Sequence, residues 1–311
     1  MKGEILITDS LFIFPEHETV LRDAGYDITR LDKPDASEAE LIQAIEGKVG
    51  YILGGIEKAT DKVIDAGKDL KAIVFTGSDW QQFITGHELA TKKGISIANT
   101  PGANTSAVAE YTVAIMLAMV RNIFELGRTG NKKFETTHSL NELTIGIVGL
   151  GRIGTRVAEI LKHLGAKKVL YWSRNRKTEV EKQLGIPYQD LPDLLSASDV
   201  VTIHISKEAG NDFIGEKELR KMKDSALLIN CGFTGAVNRD ALLKELQNNR
   251  LRAAQDDPFD DAFDQLPLSA WFNSNAHTAF NTFEANKTAS DMATRSLLNL
   301  LASGEDEYRV N

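Results

Sequence analysis

Short apolar runs alternate along this chain with segments whose apolar residues recur at helical spacing. Ile5-Leu6-Ile7, residues 28–31, Tyr51-Ile52-Leu53 and Ala72-Ile73-Val74-Phe75 read as buried strands, with helices over 16–24 and 37–45 between them. Gly94-Ile95-Ser96-Ile97-Ala98 follows a further helix and ends in the turn Asn99-Thr100-Pro101-Gly102. Residues 107–126 are apolar on most faces, which predicts one long buried helix. Strands at 144–148, 168–172, 200–205, 226–230 and 252–254 come next, with helices over 157–164, 216–222 and 239–248, and 282–302 forms a last long helix. The pattern predicts an α/β protein made of two Rossmann-like or flavodoxin-like domains with parallel sheets.

The chain has 311 residues, enough for about two domains, with 42% hydrophobic and 26% charged residues, an ordinary globular balance. A net charge of −8 gives no general attraction to nucleic acid or to an anionic membrane. Cys231 is the single cysteine, so no intrachain disulfide forms. A reducing, cytoplasmic setting is expected, and no signal peptide is visible. No apolar run approaches the length of a membrane span, and no Cys/His spacing suggests a metal.

One stretch carries more chemistry than any other. The strand over 144–148 runs directly into Gly149-Leu150-Gly151-Arg152-Ile153-Gly154, then a helix, then a strand ending at Trp172 and the turn Ser173-Arg174-Asn175-Arg176-Lys177. Strand, glycine turn, helix, strand is the order a dinucleotide site requires. The first glycine permits a tight turn, the second lets the backbone approach the pyrophosphate, and the third lets the helix pack closely on the strand. Unpaired N–H groups at the helix start then hold the phosphates. An acid at the end of the second strand would bond the ribose 2′-hydroxyl of NAD. This chain has Ser173 there, followed by Arg174, Arg176 and Lys177. A hydroxyl and a guanidinium hold a 2′-phosphate, so NADPH is expected over NADH. The alternative is a solvated basic turn beside an NAD site.

Further motifs fall in a telling order: Asn99-Thr100-Pro101-Gly102-Ala103-Asn104, Val108-Ala109-Glu110, the glycine fingerprint, Asp199-Val200-Val201-Thr202-Ile203-His204, Leu227-Leu228-Ile229-Asn230, and His277 with Glu284-Ala285. With these the chain resembles the D-isomer-specific 2-hydroxyacid dehydrogenases over nearly its whole length. The Trp172-Ser173-Arg174 strand end is similar to that of the family's NADP-using glyoxylate and hydroxypyruvate reductases. The resemblance implies a discontinuous outer substrate domain, residues 1–101 and 282–311, and a cofactor-binding Rossmann domain, residues 102–281. It also implies a homodimer, and a small-molecule substrate bound in the cleft. The implied reaction is hydride transfer between nicotinamide and C2 of a 2-keto or 2-hydroxy acid.

The family's catalytic histidine maps to His277, and its catalytic carboxylate to Asp261, with Asp260 and Asp264 as close rivals. Cofactor contacts are implied for Gly149, Gly151, Arg152, Ile153, Gly154, Ser173, Arg174, Asn175, His204, Cys231, Gly232 and Asp256, and substrate contacts for Gly77, Ser78 and Phe233. Phe233 falls where the family places a substrate-clamping arginine, in a run from Asn230 to Asn238 whose Asn230, Gly235 and Val237 hold the register. A phenyl ring cannot clamp a carboxylate or stabilise an oxyanion, and losing one such donor costs on the order of 10²–10³ in rate.

The loop Thr76-Gly77-Ser78-Asp79-Trp80-Gln81-Gln82 also departs from the family. Asp79 pointing inward would repel a carboxylate. Trp80 and Phe233 either line an aromatic substrate face or pack into the core. Three readings follow: an NADPH-dependent oxidoreductase for a carbonyl or imine substrate with an apolar part; a catalytically impaired NADP(H)-binding sensor or partner protein; and an ordinary 2-keto acid reductase with a relocated basic residue, Arg121 and Arg128 being candidates.

Overall fold

A computed structural model describes residues 2–8, 13–33, 35–130, 136–257, 259–276 and 278–311. The chain divides into two compact units, Met1–Asn104 with Asn281–Asn311, and Thr105–Phe280.

The first unit holds β1 (Glu4–Ile7), α1 (Pro15–Asp23), β2 (Asp27–Arg30), α2 (Glu38–Ile45), β3 (Lys48–Leu53), α3 (Asp61–Ala66), β4 (Ala72–Phe75), α4 (His87–Lys92) and β5 (Ser96–Asn99). Its five strands are parallel in the order β2-β1-β3-β4-β5. Central strands covered on both faces read as unbroken apolar runs, which is why β1 and β4 stand out in the sequence. Leu41, Ile45, Val63, Ile64 and Ala90 cover one face. Ala293, Leu297 and Leu300 of the C-terminal helix, Phe283–Ser303, cover the other with Ile5, Ile7 and Val74. Each Val, Ile or Leu among these, fully buried, contributes roughly 1.5–3 kcal/mol over its exposed state. The chain end closes the β5 edge: Val310 N donates to Ile97 O at 2.8 Å and Ile97 N to Asn311 Oδ1 at 2.7 Å.

The second unit runs α5 (Thr105–Val120), α6 (Ile123–Thr129), β6 (Thr144–Val148), α7 (Arg152–His163), β7 (Lys168–Trp172), α8 (Thr178–Leu184), α9 (Leu191–Ala197), β8 (Val200–Ile203), α10 (Glu216–Lys221), β9 (Leu227–Asn230), α11 (Arg239–Gln247), β10 (Arg252–Gln255) and β11 (Trp271–Asn273). Its six strands are parallel in the order β11-β10-β9-β8-β6-β7. The order reverses at β6, and ligands bind such sheets outside the carboxyl ends of the strands at that switch point. The apolar side of α7, Val157, Ala158 and Leu161, packs with Val113 and Met116 of α5 over β6 and β7.

A single helix over 107–126 does not form. The chain leaves helical geometry at Asn122, which is left-handed at φ 52°, and α6 departs from α5 at 62°. The break has a distant cause. The Arg252 guanidinium donates to Met119 O and, at 2.8 Å, to Asn122 Oδ1, taking acceptors at the end of α5. Phe124 of α6 stacks on Phe272 of β11 with centroids 3.8 Å apart. No single helix among the described residues is long and apolar enough to cross a membrane.

Among the described residues, the first unit buries one acid. Glu57, only 3% exposed, hydrogen bonds to Thr8 Oγ1, which lies 3.1 Å from the Tyr51 hydroxyl, and its Oε2 has no partner. Burial pushes the Glu57 carboxyl above the usual carboxylate range. A carboxyl whose folded-state pKa is raised stabilises the fold below its unfolded value and loses that contribution as pH rises through the folded value. Glu57→Gln should therefore gain stability relative to wild type as pH rises from about 4 to about 8 in chemical denaturation. A stability difference that does not change with pH would contradict a buried, neutral Glu57.

Candidate active site

The glycine turn is built to bring α7 against the end of β6. Gly149 is at φ +101°, and a Cβ there would stand 2.5 Å from His204 O. A Cβ on Gly154 would stand 2.0 Å from Gly149 O. Both positions therefore exclude a side chain for steric reasons within the fold itself. Gly151 is different: nothing lies within 4 Å of its Cβ position, and its φ of −82° suits any residue. The backbone at Gly151 is therefore open to close approach, as a diphosphate would require. Thr155 N makes the first helical bond, to Gly151 O at 2.9 Å, so the amides of Arg152, Ile153 and Gly154 sit in the unpaired first turn. No acid occupies that turn to compete with a phosphate, and Lys162 and His163 in the last turn match the helix dipole. The residues fit a dinucleotide.

At the end of β7 the basic residues divide. Arg176 is held by Glu181 through two hydrogen bonds of 2.7 and 2.9 Å, and its guanidinium lies 5.6 Å from the Tyr188 ring centroid. The same pair pulls the Glu181 carboxyl down to about 2, Arg176 being the larger cause and Tyr171 the next. Arg174 is exposed, with no hydrogen bond or ion pair among the described residues, and Ser173 beside it is half-buried. Glu208 faces Arg174 at longer range. Its carboxyl lies below the usual range, first through the Ser206 hydroxyl, then its own backbone, and last the Arg174 charge.

The carboxyl ends of β8, β9 and β10 hold the next group. His204 N donates to Val148 O at 2.7 Å, and Nε2 lies 3.0 Å from Thr202 Oγ1. Burial pushes this imidazole down to about 4, so it is neutral near pH 7. Burial likewise pushes the Cys231 thiol up to about 12, which leaves it protonated and unreactive. Gly232 N donates to Asn230 Oδ1 at 3.2 Å.

Asp256, 3% exposed, has its carboxylate enclosed by protein donors. Oδ1 accepts from Ser274 Oγ at 2.8 Å and Thr278 N at 3.1 Å, and Oδ2 from Ala279 N at 2.8 Å. The Tyr111 hydroxyl faces Ser274, Thr278 and Asp256, and burial raises its pKa first of all. Asp256 thus fastens the segment on both sides of position 277. His277 itself lies outside the described residues. The sequence carries no signal for this clasp, because Tyr111, Asp256 and Ser274 are far apart in the chain.

Of the candidate acids, Asp260 is taken by Arg239, with Nη2 to Oδ1 at 2.6 Å, and also caps Ala262 N at 2.8 Å. Asp261 and Asp264 are exposed. Phe233 is half-buried over Gly235, where a Cβ would meet its ring at 2.5 Å, and packs beside the second core. Lys207 Nζ lies 5.6 Å from the Phe233 ring centroid. Arg121 is engaged with Thr137 Oγ1 at 2.9 Å, and Arg128 lies 3.6 Å from Glu125.

In the first unit, Gly77 O accepts from Thr100 N at 3.1 Å and Ser78 O from Asn99 Nδ2 at 3.0 Å. Asp79 is exposed and accepts from Gln82 Nε2 at 3.1 Å. Trp80 meets His87 edge-on at 5.3 Å and packs on the core of its own unit, so it follows the packing alternative.

The sequence pattern of the D-isomer specific 2-hydroxyacid dehydrogenase, NAD binding domain, matches residues 113–278. A glyoxylate reductase of Aeropyrum pernix is 39% identical over 228 residues, 68% of this chain and 68% of its own. A glyoxylate reductase of Thermofilum pendens is 36% identical over 297 residues, 88% and 85% of the two chains. Among solved structures, the TT0316 protein from Thermus thermophilus covers 99% of this chain and 100% of its own, with a TM-score of 0.83 at 27% identity. The NAD⁺-bound 3-phosphoglycerate dehydrogenase of Entamoeba histolytica shares the fold, with a TM-score of 0.83 at 21% identity over 99% of this chain and 98% of its own.

The two kinds of glycine give separable outcomes. Gly151→Val should cost no more than about 1 kcal/mol of stability, as a poorer N-cap, and weaken nicotinamide-cofactor binding at least about tenfold, whereas Gly154→Ala should lower stability by about 1–3 kcal/mol through overpacking with cofactor binding changed less. Undiminished cofactor binding by the Gly151 variant would dispose of that close approach. Asp256→Ala leaves the buried Ala279 amide unpaired, at about 1–3 kcal/mol, and also removes the partner of the part-buried Thr278 amide. Hydrogen exchange across 274–280 should then accelerate strongly, and exchange at the wild-type rate would show that Asp256 does not hold the segment.

Proposed function

Because the chain belongs to the D-isomer-specific 2-hydroxyacid dehydrogenase family, and is an NAD(P)-dependent oxidoreductase acting on CH–OH groups, we propose that it is an NADPH-dependent reductase of a 2-keto acid. The exposed Arg174 guanidinium beside Ser173, which has no hydrogen bond or ion pair among the described residues, carries the cofactor half of this reading. A 2′-phosphate gives Arg174 a directly hydrogen-bonded charged partner, which an NAD ribose does not. The presence of glyoxylate reductases among the relatives supports a small 2-keto acid as substrate.

In this reading residues 102–281 bind the cofactor, with contacts from the glycine turn, Ser173, Arg174, Asn175 and the ends of β8 and β9, while residues 1–101 and 282–311 supply the substrate side through Gly77 and Ser78. Homodimeric assembly is part of the reading by family analogy. The bound cofactor supplies a hydride to the carbonyl carbon. His277 gives the proton that the developing alkoxide requires. Asp261 is preferred over Asp260 as the carboxylate beside that histidine, because Asp260 is tied to Arg239 and its capped turn. Asp256 acts at one remove, by holding the backbone around position 277.

Phe233 stands at the position of the family's arginine, so the positive donor for the substrate carboxylate has to come from elsewhere. Lys207 beside the Phe233 ring favours the relocated-base reading over a substrate without a carboxylate. The cofactor assignment is tested by fluorescence titration with NADPH and NADH. NADPH should bind more tightly, and Arg174→Ala should weaken NADPH roughly tenfold or more while leaving NADH unchanged. Tighter NADH binding by the wild type would refute it. NADPH-linked turnover of glyoxylate or hydroxypyruvate should vanish in His277→Ala with NADPH binding intact, and full activity of that variant would remove His277 from the mechanism.

A further inference from the structure

Phe233 and Lys207 follow adjacent parallel strands. Lys207 opens the 3-10 turn Lys207–Ala209 shortly after β8, and Phe233 precedes the turn Thr234–Ala236 shortly after β9. Both therefore lie at the carboxyl end of the sheet, where ligands of such folds bind. The ring has a fixed seat. Its own carbonyl accepts from Asn230 Nδ2 at 3.0 Å, and the ring covers Gly235, where any Cβ would strike it. The Lys207 ammonium lies over this seat, 5.6 Å from the ring centroid. A ring face attracts a cation without consuming its N–H donors, so all of them stay available to an anion.

No carboxylate among the described residues pairs with Lys207. Its neighbour Glu208 is occupied by the Ser206 hydroxyl and its own backbone, with Arg174 as the charge it feels. The run Asn230 to Asn238 contains no basic residue, and among the described residues Lys207 is the cation seen over the Phe233 ring. We propose that Lys207 is a substrate-binding residue: its ammonium, seated on the Phe233 ring, takes the carboxylate of a 2-keto acid in place of the absent guanidinium. The inference rests on the 2-keto acid reading above and deepens it. An ammonium is a point charge and not a planar fork, so the site should bind monocarboxylates with less geometric discrimination than an arginine would.

The test uses the NADPH-loaded full chain and two probes, glyoxylate as substrate and oxalate as an unreactive carboxylate followed by quenching of bound NADPH fluorescence. Lys207→Met should raise the glyoxylate KM and the oxalate Kd roughly ten- to a hundredfold, the loss of one charge-assisted hydrogen bond. Lys207→Arg should restore both to within a few-fold. NADPH affinity and melting temperature should stay at wild-type values in both variants, which separates a lost anion contact from a damaged fold. If the wild type handles both probes and Lys207→Met handles them equally well, the Lys207 assignment is overturned while the 2-keto acid reading stands. If oxalate binding depends on Lys207 but the wild type reduces no 2-keto acid, the carboxylate site stands and the catalytic reading falls. A wild type that neither binds oxalate nor reduces glyoxylate overturns both.

Discussion

The second unit depends on how closely α7 can approach the end of β6. A Cβ at Gly154 would sit 2.0 Å from Gly149 O, and one at Gly149 would sit 2.5 Å from His204 O, so helix, turn and the β8 end meet backbone to backbone. That contact aims the first turn of α7, with its unpaired amides, at the space beside Gly151. It also fixes where β7 ends relative to the turn, because Gly149 N donates to Trp172 O at 2.8 Å. Ser173 and Arg174 begin at that point. The open backbone at Gly151 and the basic strand end are consequences of one packing constraint.

A second constraint works by hydrogen bonding. Asp256 directly follows β10 as a buried acid, and burial of a polar group is tolerable only where hydrogen-bond partners replace water. Ser274, Thr278 and Ala279 supply them, and in doing so they are drawn into one arrangement. The neutral imidazole of His204 and the protonated thiol of Cys231 keep further charge away from this end of the sheet. A mostly uncharged floor strengthens whatever electrostatic contact is made above it.

The architecture is readable from the chain because parallel strands buried on both faces leave continuous apolar runs, and because glycine spacing reports steric limits directly. What escapes a sequence reading has physical reasons in each case. The break between α5 and α6 depends on Arg252, more than a hundred positions away, bonding to Met119 and Asn122. β11 is a three-residue strand, Trp271–Asn273, too short to show a period. The basic run after Trp172 looks uniform in sequence, yet Glu181 removes Arg176 from it and leaves Arg174. The partners of Asp256 and the seat of Lys207 are contacts between distant segments, which no local pattern encodes. The place of His277 rests on motif order alone, because that residue lies outside the described ones.

The central claim is that the turn following β7 recognises a 2′-phosphate. Calorimetric titration with adenosine 2′,5′-bisphosphate and with adenosine 5′-monophosphate isolates that interaction from nicotinamide and substrate. The account predicts that the bisphosphate binds at least about tenfold more tightly and that the difference shrinks as salt is raised. Equal affinity for the two nucleotides, or a preference for the monophosphate, would contradict it.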